Sequence, residues 1–273
     1  MRFLSQSLSY IIPLFYLAVV LLYYSIFMGR KKALELKSAP ILISLLIAHA
    51  LEIATRLFVL RAMPLSTVFD ALSFISFSIL FIYTIIESSF KNKTSGFFIL
   101  LFALILKLIS SFSYNWEPGT NELLSTPTFA FHAALTVMGY TSISISAIYA
   151  LMYIIQNRNM KQKNFGIIYR QMPPLAHLEL MSIRSVALGI VLLGAGIFLG
   201  HIQARNLLGS FFYLDPKVLG TDIVWLIYIS GYFLARALKW RGRWMAYLSM
   251  SCFFILIMSA TLIYFLSETF HKF

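Results

Sequence analysis

The chain carries five histidines, and His132, His201 and His271 stand at or near the ends of long apolar stretches. Between two such stretches lies "LLGSFFYLDPK", Leu207 to Lys217, rich in aromatic residues and closed by an acid, a proline and a lysine. Neutral imidazole is a good metal ligand, and two imidazoles approaching from opposite sides would complete a six-coordinate haem iron. Porphyrin is a flat apolar plate with two carboxylates. Phe211, Phe212 and Tyr213 could form its shelf, while Arg205 or Lys217 could meet the propionates. Gly209 has no Cβ to hold a flat ligand away, and Asp215-Pro216 suits the cap and first turn of a helix. The same residues have a plainer reading. Aromatics at a bilayer interface are common anchors, and a histidine near a helix end is commonly wetted or hydrogen-bonded. At the level of residue types both readings stay open.

A second constellation sits inside an apolar stretch. "HALEIATR" places His49, Glu52 and Arg56 at i, i+3 and i+7, on one helical stripe, with Glu52 and Arg56 able to pair at i, i+4. Ionisable groups within a membrane helix face the bundle interior, because exposure to lipid costs several kcal/mol. His49 could be an internal ligand or a proton-linked residue. The preferred reading is a polar clamp that locks this helix against Lys107 or Asp70 of its neighbours, a common packing device in membranes.

The elements that must position these groups follow from composition. With 60% hydrophobic and 12% charged residues, and a mean hydropathy of +0.82, the chain cannot fold as a soluble domain. It reads as an all-α, polytopic integral membrane protein. A spanning helix needs about 20 apolar residues, and eight transmembrane helices are expected: Leu8 to Met28, Pro40 to Leu60, Ser66 to Glu87, Gly96 to Ser113, Thr128 to Ile155, Ser182 to His201, Val218 to Leu238 and Trp244 to Leu266. The first has no small-residue cleavage site after it and reads as a retained span. With no repeat and no soluble insertion, one membrane domain covering residues 1–273 is the economical organisation.

Charge sets the orientation. Arg30, Lys31, Lys32 and Lys37 follow the first span, Lys91 and Lys93 the third, Arg158, Lys161, Lys163 and Arg170 the fifth, and Arg236, Lys239, Arg241 and Arg243 the seventh. The loop after the fourth, "YNWEPGTNELLSTPT", is acidic. The positive-inside rule therefore places both termini on the outer, periplasmic side. The net charge of +12 is spread over four short loops beside anionic lipid and gives no single basic face, so nucleic acid is not an expected partner. Cys252 is the single cysteine, which excludes a CxxC redox pair and a CxxCH haem attachment in this chain. P-loop, GxGxxG and HExxH motifs are absent.

Longer segments resemble the cytochrome c assembly, haem-handling membrane family of the CcsA and CcmC type, including its HemX-like branch. "MPLSTVFDALSFISFSILFIYTIIE" (Met63 to Glu87) is similar to the family's Pro-Leu/Val-Ser segment opening a span. "FHAALTVMGYTSISISAIYALMYI" (Phe131 to Ile154) resembles the span that begins with an outer-face histidine. "LELMSIRSVALGIVLLGAGIFLGHIQA" (Leu178 to Ala204) resembles the span entered by Leu-Glu and an arginine, here Arg184. Leu207 to Lys217 occupies the place of the family's tryptophan-rich signature. Gly209, Asp215, Pro216 and Lys217 match it, and the tryptophan positions fall on Leu208, Phe212 and Leu214. "WLIYISGYFLARALKWRGRWMA" is similar to the following span, whose histidine falls on Leu234.

The resemblance implies that His132 and His271 are the two outer-face ligands of haem iron. It implies a protein of cytochrome c biogenesis that holds or presents haem, as non-covalent haem b, held stably or in transit. Its expected setting is the bacterial plasma membrane, multi-pass in the lipid bilayer, with a second cytochrome c assembly membrane subunit and apocytochrome c as partners. Phe in place of Trp keeps a stacking face but loses the N–H donor, and Leu keeps only volume. The shelf is then weaker than in relatives with the full signature. With no mid-span histidine at Leu234, surface haem holding is favoured over complete haem export. The alternative is a HemX-like structural or regulatory membrane subunit that does not ligate haem. Bond-making catalysis is not expected of this chain alone.

Overall fold

A computed structural model describes residues 2–29, 32–61, 63–65, 67–89, 93–114, 126–208 and 216–266. The described residues form nine helices and no strand, as expected where no water is present to satisfy an open backbone. They are α1 (Arg2–Phe27), α2 (Lys32–Leu60), α3 (Val68–Ser89), α4 (Gly96–Phe112), α5 (Pro127–Lys161), α6 (Ile167–Gln171), α7 (Leu175–Leu208), α8 (Pro216–Ala237) and α9 (Arg243–Leu266). Each of the eight expected spans falls on a helix. Six helices are long and apolar enough to cross a membrane, namely α1, α2, α3, α5, α7 and α8, while Gly96–Phe112 and Arg243–Ser259 are apolar but shorter. At 1.5 Å per residue, the 17 residues of α4 reach about 26 Å, close to the hydrocarbon thickness.

The helix ends depart from the expected boundaries. Pro40 lies inside α2 and does not open it, and the stretch from Ser182 to His201 is the middle of the 34-residue α7. Both extensions carry polar residues on continuing helical backbone, which hydropathy alone does not register. Termination is clearer. Gly29, Arg61, Lys163 and Lys239 have positive φ, the left-handed conformation that closes helices. At Gly29 the chain uses the residue for which that conformation carries no Cβ penalty.

The chain divides into two compact units. The first comprises residues 1–125 and 164–173, the second residues 126–163 and 174–273. In the first, α1 packs on α2 and α4, and α3 on α2 and α4, closing a four-helix ring. Its interior is unusually polar: Tyr16, Tyr23, Tyr83, His49, Glu52, Arg56, Asp70 and Lys107 are all buried. Its outward residues include Leu14, Ile47 and Ile105, which are exposed. That inversion of the pattern of water-soluble proteins is what lipid as the outer solvent requires.

In the second unit α5 lies along α7, and α8 and α9 complete the packing. The α5–α7 seam is close because glycines face it. A Cβ on Gly139 would come within 2.7 Å of the Leu193 backbone nitrogen, and one on Gly189 within 2.7 Å of Ile143 Cγ1. Side-chain hydroxyls join the helices further along, with Ser182 Oγ 3.0 Å from Ser146 Oγ and 3.2 Å from Ser249 Oγ. Trp225 Nε1 donates to the Ile190 carbonyl at 2.9 Å. Small and hydroxyl residues of this kind substitute for hydrophobic driving force between helices in lipid.

Candidate functional site

Pro127 opens α5, where its missing N–H is not needed, and His132 follows little more than a turn later. Its Nδ1 lies 2.6 Å from the Gly196 carbonyl oxygen of α7. A carbonyl can only accept, so Nδ1 carries a proton. The ring lies over Gly200, where a Cβ would stand 2.7 Å from Cε1 and 2.8 Å from Nδ1. Phe129 flanks it with ring centroids 5.6 Å apart. Beside it Thr128 Oγ1 donates to Gln203 Oε1 at 2.8 Å, joining the same two helices.

His201 is one residue beyond Gly200 and turns to a different helix. Its Nε2 is 3.2 Å from Asp222 Oδ2 of α8. The sequence grouped it with the candidate ligands, and the structure gives it a carboxylate partner. Arg205 is exposed on the last turn of α7. Pro216 begins α8 and Lys217 follows it. Gly209, Phe211, Phe212, Tyr213, Asp215 and His271 lie outside the described residues, so the structure tests neither the aromatic shelf nor the second histidine. Of the candidate haem groups it therefore positions His132 and Arg205.

The stripe on α2 is the centre of a buried network in the first unit. Lys107 Nζ of α4 donates to Glu52 Oε1 at 2.6 Å and to Ser73 Oγ of α3 at 2.8 Å. Ser73 Oγ is 3.0 Å from His49 Nε2, and His49 Nδ1 is 2.9 Å from the Tyr16 hydroxyl of α1. Tyr16 donates in turn to the Ser76 carbonyl at 3.2 Å. These contacts include groups on all four helices of the ring. Arg56 meets Asp70 through Nε at 2.6 Å, with its guanidinium 4.9 Å from the Phe69 ring centre and 5.3 Å from that of Tyr114. Burial pushes the Tyr114 hydroxyl above its ordinary value, against the pull of Arg56. Asp70 is set by Thr67, whose Oγ1 accepts from the Asp70 backbone N–H at 3.1 Å and donates to Oδ2 at 2.6 Å. The first of these bonds caps the start of α3.

The clamp reading of this stripe thus has its partners. Glu52 is bonded to Lys107 and Arg56 to Asp70, the two neighbours the sequence offered for the clamp. Both charge pairs join neighbouring helices, and a small cavity lined by Glu52, Arg56, Phe69, Asp70 and Ser73 adjoins them.

Sequence reasoning missed Asp222 and the roles of Gly196 and Gly200. The available signal was the glycine spacing Gly196-x-x-x-Gly200, a motif of close helix approach. Among the described residues no group of three or more His, Cys, Asp or Glu side chains is arranged to hold a metal ion.

Comparison with known proteins gives a consistent result. Residues 65–271 match the family described as Cytochrome C assembly protein. The chain is 27% identical over 219 residues to Protein HemX of Brevibacillus brevis, covering 78% of this chain and 79% of that one. It is 25% identical over 213 residues to Protein HemX of Bacillus subtilis, covering 77% and 76%. To the cytochrome c biogenesis protein CcsA of Porphyra purpurea it is 24% identical over 298 aligned positions, covering 94% and 93%.

Proposed function

We propose that this chain, which belongs to the cytochrome c assembly protein family, acts in cytochrome c biogenesis by holding or presenting haem at the outer face of the bacterial plasma membrane. The observation that carries this reading is the state of His132. A ligating histidine commonly gives one ring N–H to a carbonyl or carboxylate, which fixes the tautomer and raises the basicity of the other nitrogen. His132 has the first half of that arrangement, Nδ1–H on the Gly196 carbonyl, and Nε2 is the nitrogen that would meet iron. The donor set therefore fits the group at the one ligand the structure describes.

In this reading the chain spans the bilayer eight times with both termini outside, as one membrane domain. His132 and His271 would be the protein ligands of a non-covalent haem b. Phe211, Phe212 and Tyr213 would form the apolar shelf, with Gly209 allowing close approach and Asp215 as the cap the sequence offers. Arg205 and Lys217 meet the propionates. When bound, the haem is cargo for an apocytochrome, received or passed on with a second assembly subunit. The relatives named HemX, together with Leu208, Phe212 and Leu214 at the signature tryptophan positions, favour a second reading, a structural or regulatory subunit without haem.

One experiment separates the two. The purified full chain, expressed with haem in excess, should show a sharp Soret band and split reduced bands of a six-coordinate haem. His132→Ala and His271→Ala should each give a five-coordinate or labile haem that added imidazole restores. A featureless spectrum, or one unchanged in the double variant, gives the case to the subunit without haem.

A further inference from the structure

We infer that Gly200 is a positioning residue for the His132 imidazole, a slot in α7 that seats the ring against the Gly196 carbonyl; this rests on the haem reading above. The two glycines of Gly196-x-x-x-Gly200 serve different ends. A Cβ on Gly196 would press on Thr136, 2.6 Å from its Oγ1 and 2.9 Å from its backbone nitrogen, so that glycine lets two helix backbones approach. A Cβ on Gly200 would have the His132 ring as its three nearest neighbours, at 2.7 Å from Cε1, 2.8 Å from Nδ1 and 3.4 Å from Nε2. The space at residue 200 is filled by the imidazole and not by backbone.

The Gly196 carbonyl explains why the slot lies one turn along. In an α-helix that oxygen accepts the N–H of residue 200. Its second lone pair is available to another donor, and the ring nitrogen at 2.6 Å takes it. A ring bonded at Gly196 must therefore lie along the surface towards residue 200, where any side chain would lift it. His132 is anchored at its own end as well, since Thr136 Oγ1 donates to its carbonyl at 2.8 Å and Phe129 packs beside it. The imidazole is held at Nδ1, beneath its face and at its backbone, so the protein sets its orientation. Losing such support around a ligating histidine lowers metal affinity by roughly 10- to 100-fold.

The test uses the full-length protein titrated with haem b, and compares Gly200→Ala with Gly189→Ala and His132→Ala. Gly189 belongs to the same α5–α7 seam, and its Cβ would also lie 2.7 Å from its nearest neighbour, Ile143 Cγ1. Gly200→Ala should weaken haem retention roughly 10- to 100-fold and shift the spectrum towards five-coordinate, with recovery on adding imidazole. Gly189→Ala should leave the spectrum alone. If His132→Ala alters the spectrum and Gly200→Ala does not, the slot is refuted while the haem reading stands. Equal effects at Gly189 and Gly200 reduce both to helix packing and also refute it. If His132→Ala has no effect, the haem reading itself falls and the slot with it. Should Gly200→Ala fail to fold, the haem-free native protein decides. Nitrogen NMR of labelled histidine should show His132 protonated at Nδ1, and protonation at Nε2 overturns the proposal.

Discussion

Lys107 and Glu52 show what a single side chain does in this molecule. Both are buried, and each satisfies a charge that the other would leave exposed to a low dielectric. Removing one partner of such a pair commonly costs about 3–5 kcal/mol, whereas removing both together costs much less. Lys107→Met should therefore lower the thermal stability of the detergent-solubilised protein far more than the Lys107→Met, Glu52→Gln double variant does. Additive losses would show that the two are not coupled, and the clamp would fail. The stripe of His49, Glu52 and Arg56 was legible in sequence because helical spacing places the three on one face. Their partners were only half legible. Lys107 and Asp70 were candidates, but which acid meets which base depends on how α3 and α4 are rotated, and α2 alone carries no information about that. His132 has the same limitation. Its position near the start of α5 was evident, while its tautomer depends on a backbone carbonyl of α7, which every residue type offers equally.

Among elements, the α5–α7 seam places tight limits on side-chain size, and at Gly139 the limit is set by backbone. A methyl on Gly139 would meet the Leu193 backbone, with its nitrogen 2.7 Å and its Cα 2.9 Å away, and backbone cannot rotate aside. Gly139→Ala should cost about 1–3 kcal/mol, the usual range for overpacking. Gly231→Ala should not, because its nearest neighbour would be Leu248 Cδ1 at 3.6 Å, an ordinary contact, and alanine is the better helix former. Thermal unfolding of the two variants side by side checks this, and equal losses would remove the seam's special status. The eight apolar segments were legible because hydrocarbon demands long runs of apolar residues. The ends of α2 and α7 were not, since helical hydrogen bonding continues where hydropathy falls. The short α6, five residues between a basic loop and Pro173-Pro174, has too little periodicity to announce itself.

At the scale of the whole molecule the basic residues gather where helices end. Arg158 and Lys161 close α5 and Arg236 closes α8. With the positive-inside rule, reporters fused after Lys93, Lys163 and Lys239 should register the cytoplasm, and those after Gly119 and Phe273 the outer compartment. The reverse pattern would put His132 on the cytoplasmic side and sink the proposed haem site. The polar ring of the first unit also bears on how the chain is made. Synthesis runs from the N-terminus, so α2 emerges with Glu52 and Arg56 before Asp70 and Lys107 exist to meet them. A charge such as arginine costs about 2.5–3.5 kcal/mol at the centre of a lone membrane helix and less towards its end, where Arg56 stands. Glu52 and Arg56 of α2 therefore find their partners only once α3 has supplied a carboxylate and α4 an ammonium.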